Sequence, residues 1–325
     1  MDWHQRTLGK ASFHHDAKAP HFCHEPRSCE TNTLKATFRN QQTLAAPAVV
    51  EGFGYWSGKD VRVTFQPAPE DSGITFVRTD LQPAVRIQAH AGARIEAPRR
   101  TNLSTDGTTV EMIEHIMAAL AALQIDNCDV LVDAAEMPGM DGSSLAFIDA
   151  LTQAGIVQQS ALRARLVVSE TTRVGDKDSW IEARPPVADG MTVKYRLDYG
   201  EQHAIGRQTF ALDITPESFI TELAAARTFV LKAEADWLRD QGLGTRVGYS
   251  DLLVLGEDGP IENHWRFEDE CARHKTLDVV GDLALAGCDL AGHFVAYRCG
   301  HRQNAELVKA LLSENQLQEP LRKTA

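Results

Sequence analysis

The sequence predicts an α+β fold made of two similar domains with a cleft between them. Short runs of alternating apolar and polar residues, bounded by Pro, Gly, Asp or Ser, predict strands. Longer runs with apolar residues three and four apart predict helices. The order in which these elements occur is repeated in the second half of the chain, which points to duplication of one α+β unit.

In the first half, strands are expected at 61–66, 74–78, 85–89 and 93–97. A helix over Val110–Leu123, a strand over Cys128–Asp133 and a helix over Ser144–Ala154 follow, the last closed by Gly155. After Gln158 the pattern restarts, with strands at 164–169, 193–199 and 208–212 and a helical run at 216–226. A long helix from about Phe267 to Ala286, closed by Gly287, a strand at 293–298 and a helix at 304–312 complete it. Each half thus ends helix, strand, helix. Residues 1–38 show neither period and are expected to be a disordered leader; the domains are then 39–160 and 161–325. The leader carries His14, His15, His21, Cys23, His24 and Cys29, a metal-capable composition whose spacings match no zinc module.

Composition narrows the function. In 325 residues, 33 Lys+Arg stand against 45 Asp+Glu, a formal charge of -12 that argues against a nucleic-acid partner held by many phosphate contacts. The six cysteines form no CxxC pair and no even secreted-type spacing, which fits a reducing cytoplasm. No apolar run approaches the roughly 20 residues of a membrane span.

The chemistry is expected on two helices. The first is apolar nearly all round except at Glu111, Glu114 and His115, whose offsets of three and four place them on one side. A hydrogen-bonded core histidine beside a surface Glu would account for that helix alone. The second carries Glu270, His274, Asp278 and Asp282 at intervals of four, one stripe that a solvated acidic face would also explain. Spacing does not select a ligand pair: 12 His at an acidic frequency of 45 in 325 give roughly 1.7 His-to-carboxylate pairs four apart by chance, and there are three, His21–Glu25, His264–Glu268 and His274–Asp278. Only the third lies inside a strongly periodic helix. His115 from one domain with His274 and Asp278 from the other would supply three ligands of a catalytic zinc, leaving a place for water. Two imidazoles favour zinc over magnesium or calcium, with Fe2+ as the alternative. Such an ion would lower the pKa of water from about 15.7 toward 7, and Glu114 is placed to accept the proton. His301, in the turn Cys299-Gly300-His301, is a candidate general acid with Asp282 as its orienting carboxylate, although a loop histidine has the same signature.

Longer motifs support this reading. Ile113-Glu114-His115 with Met117–Leu120, Ile125-Asp126-Asn127, PGMDGS at 138–143, Ala226-Arg227-Thr228-Phe229, RFED at 266–269, RHKTLDVVGD at 273–282 and Gly300-His301 occur in one order. In these the chain resembles the zinc-dependent UDP-3-O-acyl-N-acetylglucosamine deacetylases of Gram-negative lipid A synthesis, from about Ala46 to the last helix. The resemblance implies two facing β-α-α-β units with the active site between them. It implies zinc on His115, His274 and Asp278, Glu114 as general base, His301 as cationic acid supported by Asp282, and Thr228 as oxyanion donor. Lys275 would attract the substrate phosphates and Phe229 would line the sugar site. The reaction implied is removal of the N-acetyl group from acylated UDP-N-acetylglucosamine, the committed step of lipid A synthesis, giving free amine and acetate. The acyl chain demands an apolar passage in the second domain and peripheral contact with a membrane surface; a cytoplasmic monomer is expected.

The chain departs from the family pattern at three places. Gly54-Tyr55-Trp56-Ser57-Gly58 replaces Gly-Leu-His-Ser-Gly, residues 242–250 replace a Gly-Gly-Ser segment, and the leader has no counterpart. Two other functions fit the same motifs: a paralogue acting on a different N-acetylated nucleotide sugar, and a silent nucleotide-sugar-binding regulator. Intact Glu114 and His301 argue against the regulator.

Overall fold

A computed structural model describes residues 38–314 together with 317 and 318; the leader and its His and Cys residues lie outside them. The first half contains β1 (Asn40–Leu44), β2 (Ala48–Phe53), β3 (Asp60–Pro67), β4 (Ile74–Arg78), β5 (Val85–Gln88), β6 (Arg94–Ile95), β7 (Asn102–Thr105), β8 (Thr108–Val110), α1 (Glu114–Ala122), β9 (Cys128–Val132), α2 (Leu145–Ala154) and β10 (Ile156–Leu162). The second contains β11 (Arg165–Val167), β12 (Thr172–Gly175), β13 (Trp180–Arg184), β14 (Met191–Asp198), β15 (Arg207–Ile214), α3 (Pro216–Glu222), β16 (Phe229–Leu231), α4 (Lys232–Asp240), β17 (Leu253–Leu255), α5 (Glu270–Leu283), β18 (Asp289–Tyr297) and α6 (His301–Glu314). The fold is α+β.

Two sheets share one plan. The first has the order β2-β3-β9-β4-β5 and the second includes the path β12-β13-β18-β14-β15. In each, the central strand runs antiparallel to one neighbour and parallel to the other: β9 to β3 and β4, β18 to β13 and β14. The pattern of side chains explains the difference between strands. Val61, Val63 and Phe65 of β3 are buried in alternation with exposed or half-buried residues, whereas β18 is buried along most of its length.

Helix packing then sets the site. α5 packs over β14 and β15, α6 over β12 and β13, and α1 runs against α5. Gly281 on α5 permits close approach to Glu114 and Ala118 on α1. A Cβ at Gly281 would sit 2.1 Å from the Glu114 carbonyl oxygen, so only glycine fits this crossing.

Several sequence expectations need correction. The helix expected from Val110 starts at Glu114: Thr108–Val110 is a strand and Met112 has φ of 59°, which no continuing helix accommodates. Glu111 therefore does not share a helical face with Glu114 and His115; it pairs with Arg100 at 3.0 Å. The strand expected at 93–97 is reduced to Arg94–Ile95 after a 3₁₀ turn, and the helix at 216–226 stops at Glu222. The long helix is Glu270–Leu283 followed by a 3₁₀ turn, and the last helix begins at His301, three residues early. α4 and the strands β1, β2, β7, β8, β10, β12, β13, β16 and β17 are not anticipated by the sequence pattern. No helix among the described residues is long and apolar enough to cross a membrane.

Candidate metal centre and active site

Glu114 and His115 are the first two residues of α1, and the chain before them is tied down by its own backbone. The Ile113 amide donates to the Thr101 carbonyl and the Met112 amide to the Asn102 side-chain oxygen. Ser144, just past the PGMDGS segment, donates its hydroxyl to the His115 carbonyl. These bonds fix the positive-φ turn that aims both side chains toward α5.

The α5 stripe is buried, so it is not a solvated acidic face: Glu270, His274, Asp278 and Asp282 are 0, 1, 3 and 0% exposed. Each carboxylate has a separate task. Glu270 pairs with the buried Arg227 at 2.8 Å, which explains why the ART and RFED segments meet. That pairing also sets the turn carrying Ala226, whose carbonyl accepts from His274 Nδ1 at 3.1 Å. Since a carbonyl only accepts, Nδ1 carries the proton and Nε2 keeps its lone pair.

His115, His274 and Asp278 converge, their ligand atoms lying within 4.8 Å of one another. Asp278 Oδ1 is 3.4 Å from His274 Nε2 and 3.8 Å from His115 Nε2. The two rings are 5.1 Å apart and nearly perpendicular. Asp278 Oδ2 accepts from Lys275 Nζ at 2.7 Å, but Oδ1 is buried with no hydrogen-bond partner. A buried carboxylate oxygen left bare between two imidazole nitrogens fits a cation as its missing partner. Burial, with the His274 neighbour adding to it, pushes His115 down to about 3, so its imidazole is neutral at neutral pH. Burial likewise lowers His274, against the pull of Asp278. Burial would raise Asp278, yet His274 and Lys275 hold it well below the usual carboxylate range.

Two further groups flank this cluster. Burial lifts Glu114 to about 7; His301 opposes the rise while Asp278 and Asp282 add to it. The Thr101 amide donates to Glu114 Oε2 at 2.9 Å. His301 is buried as the first residue of α6, not in an open loop, and its Nε2 is 4.0 Å from Asp278 Oδ2. Burial would lower its pKa, but the Asp282 carboxylate, 2.8 Å from Nδ1, overcomes this and raises it to about 9. Asp282 also accepts from Asn304 Nδ2 at 2.8 Å and from Thr101 Oγ1 at 2.5 Å. A carboxyl near 7 and an imidazolium near 9 leave one ionised and the other protonated between those values.

A cleft opens over these groups, lined by Glu114, His115, Thr228, Phe229, His274, Lys275, Asp278 and His301. Thr228 is anchored by its amide to the Gly142 carbonyl at 2.7 Å, which gives the PGMDGS segment its place. Lys275 is a quarter exposed and held by Asp278 while facing the cleft. Beyond Phe229 the wall turns apolar, through Val230, Ala235, Leu238, Val247, Leu252 and Val254.

The two internal departures from the expected pattern touch each other on this wall. The Tyr55 hydroxyl donates to the carbonyl of Asp251, next to the 242–250 segment. Arg246 donates to the Gly58 carbonyl, pairs with Asp60 and stacks over Phe53. Gly139 makes room for Tyr55, whose ring a Cβ there would meet at 2.0 Å. Sequence reasoning missed Thr101 and Asn304 because their roles depend on contacts 181 and 22 residues away. Asp126, in the IDN motif, is remote from the cleft chemistry: it pairs with Arg39 at 2.7 Å and Arg163 at 3.0 Å.

Comparison with known proteins bears on this geometry. The family model of UDP-3-O-acyl N-acetylglycosamine deacetylases matches residues 41–313. Proteins named UDP-3-O-acyl-N-acetylglucosamine deacetylase from Brucella ovis, Brucella melitensis biotype 2 and Brucella suis biovar 1 are each 40% identical over 276 residues, covering 84% of this chain and 96% of the relative.

Proposed function

This chain belongs to the UDP-3-O-acyl-N-acetylglucosamine deacetylase family, an amide-hydrolase family of lipid A biosynthesis, and we propose how its own residues perform that hydrolysis. His115, His274 and Asp278 hold a divalent cation, and the bare Asp278 Oδ1 between the two imidazoles is the observation that carries this reading. Two nitrogen donors and one oxygen donor suit zinc, with Fe2+ as the alternative. When bound, such an ion polarises an amide carbonyl and makes water more acidic.

The remaining work falls to side chains. Glu114 accepts a proton from the water that attacks the 2-acetamido carbonyl carbon. Thr228 and the cationic His301 stabilise negative charge on the carbonyl oxygen. As the C–N bond breaks, His301 protonates the nitrogen, so a free amine and acetate leave. Asp282 keeps His301 charged. Lys275 attracts the diphosphate, Phe229 borders the sugar, and the apolar wall from Val230 to Val254 receives the acyl chain.

The domain boundaries 39–160 and 161–325, each a β-α-α-β unit, are supported by the shared strand order of the two sheets. A cytoplasmic monomer touching a membrane surface only through its acylated substrate is the setting we infer. Acetate release, followed by mass spectrometry with acylated and unacylated UDP-N-acetylglucosamine and added zinc, tests the function. Release from the acylated substrate is expected; turnover of the unacylated one alone would point to the paralogue, and none from either would overturn the enzyme.

A further inference from the structure

Thr101 is 1% exposed and uses all three of its polar groups, each on a different part of the site. Its carbonyl accepts from the Ile113 amide at 3.1 Å, just before α1. Its amide donates to Glu114 Oε2 at 2.9 Å, and its hydroxyl donates to Asp282 Oδ1 at 2.5 Å. Asp282 in turn accepts from His301 Nδ1 and Asn304 through its other oxygen. One residue therefore touches both the carboxylate read as the base and the carboxylate that holds the acid.

The hydroxyl has a definite mechanical task. The terminal torsion of an Asp side chain is broad and two-fold, so a carboxylate gripped on one oxygen can turn about its axis. In Asp282 both side-chain partners other than Thr101 lie on Oδ2; the Thr101 hydroxyl is what holds Oδ1. Asp282 is fully buried, so no solvent replaces that donor. The β-branched threonine has few χ1 choices, which makes the link between its amide and its hydroxyl stiff.

We propose that Thr101 is a positioning residue for the hydrolysis, its amide setting Glu114 and its hydroxyl setting the Asp282–His301 pair, so that base and acid keep a fixed separation. The inference rests on the reading of Glu114 as base and His301 as acid.

Thr101→Val keeps shape and amide but removes the hydroxyl. It is expected to lower kcat about 10- to 100-fold, the usual effect of losing a partner that orients a reacting group, with KM within about two-fold of the parent. Thr101→Ser restores the hydroxyl and most of kcat, and Thr101→Ala, should the valine fail to fold, is compared with serine in the same way. In an Asp282→Asn or His301→Ala background the Thr101→Val loss should shrink below about three-fold, because both changes act on one unit. Equal losses in serine and valine, or an undiminished loss in those backgrounds, would overturn the proposal. Full activity of Thr101→Val with Glu114→Ala inactive would reject this inference alone, whereas full activity of Glu114→Ala would reject the reading beneath it.

Discussion

His274 and Asp278, four residues apart on α5, bring Nε2 and Oδ1 to 3.4 Å while the other imidazole nitrogen is tied to the Ala226 carbonyl. The hydrogen bond leaves Nε2 as the only lone pair, and the stripe leaves Oδ1 as the only bare oxygen. His274→Ala or Asp278→Ala should therefore lose the ion, as read by metal analysis after dialysis. A chelator should lower the unfolding temperature of the parent, since an ion that binds the folded form stabilises it, and leave that of His274→Ala unchanged. Stoichiometric zinc in His274→Ala would refute the assignment.

Glu114→Ala should keep the ion and lose turnover. General-base catalysis contributes about 10²- to 10⁴-fold, and the loss of acetate release should fall in that range. The alanine removes the carboxylate without touching the three ligands, so metal content is the internal control. A fully active Glu114→Ala would remove Glu114 from the chemistry.

The α5 stripe could be read in advance because an α-helix is rigid: residues four apart share a side whatever surrounds them. That rule carried His274, Asp278 and Asp282 correctly and failed at Glu111, where the positive-φ Met112 had already ended the helix. Nothing in the identity of Met announces that turn; it is imposed by bonds from Thr101 and Asn102. Backbone donors and acceptors are invisible in the same way, which is why the Ala226 carbonyl and the Thr101 amide escaped notice. The apolar wall was expected in the second half, but its helix α4 has no buried residue and a polar sequence, Lys232 to Asp240, so its hydrophobic side was too narrow to read.

The pH profile should be a bell whose alkaline side belongs to His301. Asp282 raises that imidazole from 6.5 to about 9, so the charged form is favoured in the folded protein. Its contribution to stability is complete below the unfolded value of 6.5 and is lost as pH rises through 9. With His301 as the proposed acid, activity requires its protonated form, and kcat/KM should fall across the same region. Asp282→Asn removes the largest of the charges that raise the His301 pKa and leaves burial, which lowers it, so the descending limb should move to lower pH. The acid limb is expected from Glu114, which as the proposed base must be ionised; burial lifts it to about 7, and a dication held by His115, His274 and Asp278 would pull it lower. An alkaline limb that stays near 9 in Asp282→Asn would exclude His301 as the group responsible.

Gly281→Ala sets helix propensity against packing. Propensity alone favours alanine by about 1 kcal/mol in a helix interior. The added Cβ, however, would lie 2.1 Å from the Glu114 carbonyl oxygen and 3.0 Å from its carbon, backbone atoms that no rotamer change can move away. Overpacking costs about 1–3 kcal/mol even where side chains can adjust, so packing should win and urea unfolding should show a net loss. The same displacement separates α1, with Glu114 and His115, from α5, with His274 and Asp278. A shift of about 1 Å in reacting groups costs on the order of 10²-fold in rate, so activity should fall at temperatures where the variant is still folded. A Gly281→Ala protein that is both more stable and fully active would mean that the two helices do not hold the site by close contact.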